Sequence, residues 1–404
     1  MKLENNLLIA QAGGPSVVLN ATLWGVIEEA KKYSEIQGII GAIGGAAGIL
    51  DENFVDLRAQ SEDFYNKLPY TPASVIGTSR KNILPEDYKK IIQILKKHDI
   101  KYLLFNGGNG SMGTCHKLYH TARDEELKVI GIPKTIDNDI CETDHCPGYG
   151  SVARYMAVTT GEIAQDIATM QIHVSIIEAM GRNAGWIAAS SILARKKPQD
   201  APHLVYVPEK PFIMAQFLED VKILHDQIGG VVVVVSEGIA DEEGKPIVPP
   251  LVIPGAKDPY PGDVGVYLAR QIWEKLGIKA RSEKPGIAAR ASATLQSPID
   301  RKEAIDVGAA AVKAAVMGET GYMIGLKRIS NNPYKCDTIL IPLDKVSNIE
   351  KKLPDYYINE RGNDINQEFI DYCKPLVGEL PEYAKLKNIK PYYNSNNEEN
   401  KLFV

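Results

Sequence analysis

At 404 residues and 44% hydrophobic side chains, the chain is long enough for two domains, each with its own core. A net charge of −5 without any basic run argues against a nucleic-acid partner, which would need concentrated Lys and Arg. No apolar run approaches a bilayer span, Met1-Lys2-Leu3-Glu4-Asn5-Asn6 lacks a signal-peptide layout, and the five cysteines (115, 141, 146, 336, 373) are scattered, so no membrane partner and a reducing cytoplasm are expected.

Residues 7–12 form an apolar run closed by Gly13-Gly14-Pro15, and a helical stretch with Val18, Trp24, Val26 and Ile27 follows. This is the pattern of a buried parallel strand entering a helix through a glycine turn whose amides face an anion. A second strand is predicted at 38–43, before a glycine-rich turn at 44–48. A third ends at 74–77, ahead of Thr78-Ser79-Arg80-Lys81. Pro85 opens a helix with Tyr88, Ile91, Ile92 and Leu95 on one face and solvated lysines on the other. The strand 102–105 feeds the turn Gly107-Gly108-Asn109-Gly110-Ser111 and a helix at 112–122. The strand 128–132 runs into Pro133-Lys134-Thr135-Ile136-Asp137-Asn138-Asp139. Further on, strands at 174–177, 204–207 and 231–235 alternate with helices from Asn183 and at 212–224, 264–276 and 301–317. From about residue 340 the chain reads as loop-rich, with 394–400 polar and frayed. The alternation predicts an α/β fold: two Rossmann-like doubly wound lobes with mostly parallel sheets, and the active site in the cleft between them.

Asp137 and Asp139 lie two residues apart after a strand, one β-α-β unit beyond a phosphate-sized glycine turn. That arrangement points to metal-assisted phosphoryl transfer to a hydroxyl, one carboxylate taking a proton and the other holding a cation. Each part also has a plainer reading. The glycine turn alone suits a tight connection, a dinucleotide fold, or a lipid or NAD kinase. Asp and Asn after a strand often cap the next helix, and Glu237 at a strand end can do the same. Arg281 and Arg290 matter only as a pair, since forked guanidiniums suit a phosphate dianion. Co-occurrence with Met180-Gly181-Arg182 favours phosphoryl transfer. Cys141, His145 and Cys146 can be drawn as metal ligands, but no second pair at zinc spacing accompanies them.

On these residues the chain resembles a 6-phosphofructokinase of the family that uses ATP or pyrophosphate, over roughly residues 7–330, while 367–386 resembles the pyrophosphate-type branch. The resemblance implies phosphorylation of the 1-hydroxyl of fructose 6-phosphate to give fructose 1,6-bisphosphate, with Mg2+ as cofactor. It implies Asp137 as general base, Thr135 as a sugar and phosphoryl contact, and Asp139 with Asn109 beside the magnesium. Gly14 and Arg80 would stabilise the transferring phosphoryl; Gly108, Asn109, Gly110, Ser111 and Gly113 would complete the donor site. Met180, Gly181, Arg182 and Glu237 would grip the sugar phosphate, with Arg281 and Arg290 clamping its 6-phosphate. The domains implied are a donor lobe at 1–150, a sugar-phosphate lobe at 151–290, and returning helices with a C-terminal extension at 291–404. Family members pair subunits to complete the sugar site, so a homodimer or homotetramer is implied.

The departures from the family pattern are specific. Asn109 replaces a magnesium-binding aspartate, so Asp139 must carry more of that role. His173 stands where an arginine often reaches in from a neighbouring subunit, which makes that contact weaker or pH-dependent. Ile287 replaces a histidine of the phosphate pocket. Trp24 and Glu28 occupy the places of two effector-binding arginines, which argues against control by ADP or phosphoenolpyruvate. Gly110 stands where an aspartate would block the nucleotide α-phosphate, and Gly113 nearby is also small, leaving room for ATP. Lys134 is the pyrophosphate-type choice, and Ala46 replaces a tyrosine that often stacks on adenine. ATP is the expected donor and pyrophosphate the alternative. A non-catalytic sugar-phosphate or nucleotide sensor is the reading from another class. A Rossmann oxidoreductase has no account of Asp137 and Asp139.

Overall fold

The computed structural model describes residues 5–79, 81, 83–123, 125–170, 173–252, 262–347 and 349–384. Its strands are β1 (Asn6–Gln11), β2 (Ile39–Ala42), β3 (Phe54–Asp56), β4 (Ile100–Gly107), β5 (Lys128–Pro133), β6 (His173–Ala179), β7 (Leu204–Tyr206), β8 (Val231–Ser236), β9 (Lys279–Glu283), β10 (Tyr322–Asn331) and β11 (Tyr334–Pro342). They form two sheets. The first has the order β11-β10-β5-β4-β1-β2-β3, parallel except for the antiparallel edge strands β3 and β11. The second, β7-β8-β6-β9, is parallel throughout. This is the α/β architecture of two mostly parallel sheets that the sequence predicts.

The central strands read clearly because both their faces are covered. Leu7, Leu8, Ile9 and Ala10 of β1 and the five valines of β8 are fully buried, and β-branched side chains suit a strand packed on both faces. One face of the first sheet meets the helices Leu19–Ala30 and Pro298–Val316 through Leu23, Val26, Val307 and Val312. The other meets Pro85–Lys97 and Asn109–Thr121 through Ile91, Leu95, Met112 and Leu118. The helix from Pro85 starts as expected, with Asp87 accepting the Leu84 N–H at 3.0 Å.

Several expectations need correction. Residues 74–77 are a turn, with the Ser74 hydroxyl donating to the Gly77 carbonyl, and the third strand is instead Phe54–Asp56. The glycine-rich segment 44–48 opens into the helix Gly45–Leu50, because Ala46, Ala47, Ile49 and Leu50 continue as helix formers. The hairpin β10–β11, which extends the first sheet, was not read, and the region expected to be loop-rich from about 340 supplies the helix Gln367–Val377. The helix Tyr149–Thr169 was also not read; its small and β-branched residues blur the helical period. Its start is anchored by Asp300, which accepts the Gly148 and Ser151 N–H groups at 2.8 Å each. Among the described residues no helix is long and apolar enough to cross a membrane. The five cysteines are free, and the frayed segment expected at 394–400 lies outside the described residues.

Candidate active site

The turn after β5 is fixed on the turn after β4. Lys134 N–H donates to the Gly107 carbonyl at 2.9 Å, and a Cβ on Gly108 would sit 3.5 Å from the Lys134 carbonyl oxygen. The Lys134 ammonium donates to the Gly14 carbonyl at 2.5 Å, so the turn after β1 joins the same corner. Thr135 Oγ1 accepts the Asp137 N–H at 3.1 Å. The turn that follows holds Asp137 where two carboxylates and two cations act on it. Crowding by protein pushes its carboxyl up to about 7; Asp139 and Glu237 add to the rise, while Lys134 and Arg290 oppose it. Asp139 and Lys134 belong to the first sheet's turns. Glu237 follows β8 of the second sheet, and Arg290 lies on the helix Ile287–Ala291. Asp137 therefore stands where the two sheets face each other, still partly open to solvent. A carboxylate poised near neutrality can take a proton from a hydroxyl.

Asn109 begins the helix Asn109–Thr121, and the open N–H groups at a helix start suit an anion. Its Nδ2 donates to the Asp139 carboxylate at 2.9 Å and to the Asp139 carbonyl at 3.1 Å. Asn109 Oδ1 and Asp139 Oδ1 are both buried without a hydrogen-bond partner. Burial pushes the Asp139 carboxyl up, against hydrogen bonds from Thr135 and Asn109. Two orphaned oxygens on hydrogen-bonded neighbours, one of them from a carboxylate, fit a hard cation such as Mg2+, which takes one or two protein oxygens and keeps waters. In the same helix Ser111 and Gly113 are buried, and a Cβ on Gly110 would meet no atom within 4 Å. Arg80 lies outside the described residues.

On the opposite side the ends of β6 and β8 are clasped together. Glu237 accepts the Gly181 N–H at 3.3 Å, Ser236 Oγ donates to the Gly181 carbonyl at 2.6 Å, and Gly181 has a φ of 112°. A Cβ on Gly238 would lie 1.7 Å from the Arg182 carbonyl oxygen, so only glycine lets these turns approach. Burial raises the Glu237 carboxyl, against the Gly181 N–H. Met180, Gly181, Arg182 and Glu237 are thus brought together. Ile287 is exposed on the helix that carries Arg290.

The two arginines are placed differently. Arg290 is close enough to Asp137 for its charge to act there, whereas Arg281 pairs in register with Ser175, four residues before Ala179. At about 3.3 Å per residue this puts Arg281 about 13 Å down the sheet from the Glu237 end. Its neighbour there is His173, whose ring is held below its usual pKa by burial and by Arg281 and Lys279. Both His173 nitrogens are buried without a hydrogen-bond partner.

Sequence reading missed what holds the turn from behind. Asn138 accepts the Cys146 N–H and donates to the Tyr372 hydroxyl, and Lys351 N–H donates to the Asp139 carbonyl at 2.7 Å. His145 joins neither Cys141 nor Cys146. Its Nδ1 meets Asp144 at 2.7 Å and its Nε2 meets Glu303 at 2.6 Å. Arg328 pairs with Asp144, and the Tyr334 hydroxyl donates to Glu303 at 2.5 Å. Ligand-type atoms of His145, Glu303 and Cys336 lie within 4.8 Å of one another. Both ring nitrogens of His145 already have carboxylate partners, so hydrogen bonding accounts for this cluster.

A phosphofructokinase family model matches residues 6–315. The chain is 38% identical to the pyrophosphate–fructose 6-phosphate 1-phosphotransferase of Xanthomonas campestris, over 96% of this chain and 97% of that protein. It is 33% identical to the protein of the same name from Rhodospirillum rubrum, over 95% and 97%. The crystal structure of the pyrophosphate-dependent phosphofructokinase from Marinobacter aquaeolei matches with a TM-score of 0.85 at 35% identity, covering 95% of this chain and 97% of that one. The fold, the carboxylate-bearing turn and these likenesses converge, and the chain is a phosphotransferase that belongs to the phosphofructokinase family.

Proposed function

We propose that the chain transfers a phosphoryl group from ATP to the 1-hydroxyl of fructose 6-phosphate, with Asp137 as general base. The observation that carries this reading is positional. The Asp137 carboxyl sits between a donor corner (Gly14, Lys134, Asn109 and the helix start behind Gly108) and an acceptor clasp (Glu237, Gly181, Arg182) with Arg290 alongside. In the proposed reaction the sugar hydroxyl gives its proton to Asp137, its oxygen forms the new P–O bond, and the bond to the leaving phosphate oxygen breaks. Lys134 and the first amides of Asn109–Thr121 neutralise donor charge, joined by Gly14, Ser111, Gly113 and Arg80. Magnesium, held by Asn109 Oδ1 and Asp139, would supply charge neutralisation at the phosphoryl oxygens. Met180, Gly181, Arg182, Glu237 and Arg290 orient the sugar phosphate, and Thr135 lines the path between the substrates. Arg281 and His173 sit on the far flank of the second sheet, a placement suited to serving the site of a second copy of the chain in a homodimer or homotetramer. The division of labour proposed is a donor lobe at 1–150 and an acceptor lobe at 151–290, with the described part of 291–404 packing on both.

ATP is proposed because the space beside Gly110 is open. A second reading, pyrophosphate as donor, is favoured by the names of the relatives above and by Lys134 beside Gly14. An aldolase-coupled assay with fructose 6-phosphate and each donor tests both. Turnover with ATP supports the first reading, turnover with pyrophosphate alone replaces it with the second, and binding without turnover leaves a sensor.

A further inference from the structure

Asn138 occupies the single position between the two carboxylates, and its side chain is fully buried. Its backbone is left-handed, with a φ of 54°, a conformation asparagine tolerates better than most residues. The side-chain amide is used at both ends. Oδ1 accepts the Cys146 N–H at 3.0 Å, and Nδ2 donates to the Tyr372 hydroxyl at 2.9 Å. That hydroxyl in turn donates to the Asp144 carbonyl at 2.9 Å. A single phenol from the helix Gln367–Val377 therefore closes the segment 138–144 from behind. The phenol is itself held: Arg328 donates to the Tyr372 carbonyl at 2.7 Å, stacks 4.6 Å from its ring centroid, and pairs with Asp144 at 2.9 Å. Lys351 adds a parallel strap, donating through its ammonium to the carbonyls of Thr143 at 3.0 Å and Asp144 at 2.9 Å.

We propose that Tyr372 is a positioning residue for the turn bearing Asp137 and Asp139, acting through Asn138. The inference rests on the reading of those two carboxylates as proton acceptor and cation ligand. Without the hydroxyl, the Asn138 NH2 group loses its acceptor in a place where water does not replace it, and the left-handed turn loses the contact that over-determines it. Asp137 and Asp139 are covalent neighbours of Asn138 on either side, so a relaxation there moves both. A displacement of about 1 Å at reacting groups is enough to cost about a hundredfold in rate. Met180, Arg182 and Glu237, on the other sheet, keep their places.

The test uses the full chain with Tyr372→Phe and, as control, Cys373→Ala, one residue along the same helix and packed against Tyr149. The expected result for Tyr372→Phe is a kcat lowered about tenfold to a hundredfold, with KM for fructose 6-phosphate within about threefold of the parent. Amide hydrogen exchange across 135–147, which contains the Cys146 N–H bonded to Asn138, should quicken. Cys373→Ala should lower stability yet leave kcat and that exchange unchanged. The proposal is overturned by a Tyr372→Phe kcat within about twofold of the parent, or by an equal fall in Cys373→Ala at equal loss of Tm, which would mark general softening of the helix. If the parent turns over no donor, the functional reading falls. Exchange then decides the clamp separately: quickened exchange supports it and unchanged exchange overturns it.

Discussion

Replacing His145 by glutamine removes one proton from a buried network and leaves its shape largely intact. The groups facing the ring are Asp144 and Glu303, with Arg328 on Asp144, Tyr334 on Glu303, and the Cys336 sulfur within 4.8 Å. Burial works against the charged ring, but Glu303 and Asp144 override it and hold the imidazole at about 9, up from 6.5. The Cys336 thiol is pushed up to about 12 and the Tyr334 phenol higher still, chiefly by burial, so neither competes for protons below pH 9. A group whose pKa is raised on folding stabilises fully below its unfolded value and loses that contribution as pH rises through the folded value. The window here runs from 6.5 to about 9. At 1.36 kcal/mol per unit the proton contributes about 3 kcal/mol, and the lowered carboxyls of Asp144 and Glu303 express the same energy rather than adding to it. With an unfolding entropy of about 2.1 cal/mol/K per residue, that corresponds to a Tm lowered by about 4 °C. Urea or thermal unfolding of parent and variant from pH 6 to 10 should show a gap of about 3 kcal/mol at pH 6 that closes toward pH 10. A gap constant across that range, or an imidazole titrating near 6.5 by NMR, would refute the argument.

The remaining expectations concern the site directly. Asp137→Asn should lower kcat by about 10²- to 10⁴-fold while fructose 6-phosphate still binds, measured by coupled assay and calorimetry; retention of most activity would remove Asp137 as the base. Gly110→Asp should abolish turnover with ATP and spare turnover with pyrophosphate, without loss of Tm, because the new Cβ enters open space. An unchanged ATP rate would overturn the donor assignment. Asn109→Ala removes both the orphaned oxygen and the donor to Asp139, and should raise the magnesium concentration for half-maximal rate about tenfold. No change in a magnesium titration would displace the cation from this pair.

Legibility followed burial and sequence distance. The strands at 231–235 and 128–132 announce themselves because both faces are covered, so every residue but Lys128 at the start of the second is apolar. β9 does not, because Lys279-Ala280-Arg281-Ser282-Glu283 is a half-exposed edge whose composition suits a surface loop. In Gln367–Val377 the buried Phe369, Cys373, Leu376 and Val377 fall at i, i+4, i+7 and i+8, a helical stripe present in the sequence but obscured by Pro375 and the surrounding tyrosines. Asp137 and Asp139 could be proposed as a pair from the sequence because they belong to one turn. The grip of Tyr372 on Asn138 was not legible, because the two are 234 residues apart and meet only when the C-terminal helix docks. The separation of Arg281 from Arg290 was hidden for a related reason: their spacing in sequence spans the end of an edge strand and the start of a new helix.

The neutral side chain at position 109 looks at first like a loss of a cation ligand, but the hydrogen bonds give it a different sense. A second carboxylate there would stand 2.9 Å from one Asp139 oxygen, and two anions at that distance in a buried corner raise each other's pKa and share a proton unless a cation is present. Asn109 instead donates to that oxygen, which favours the ionised form of Asp139, and its own carbonyl oxygen is left buried without a hydrogen-bond partner. The corner thus carries one negative charge fewer while still offering a pair of oxygens. Because Asp139 is itself among the charges that push Asp137 upward, keeping the neighbouring ligand neutral spares the proposed base a further like charge. An asparagine at 109 therefore acts on the proposed cation site and the proposed proton acceptor together, through electrostatics rather than contact.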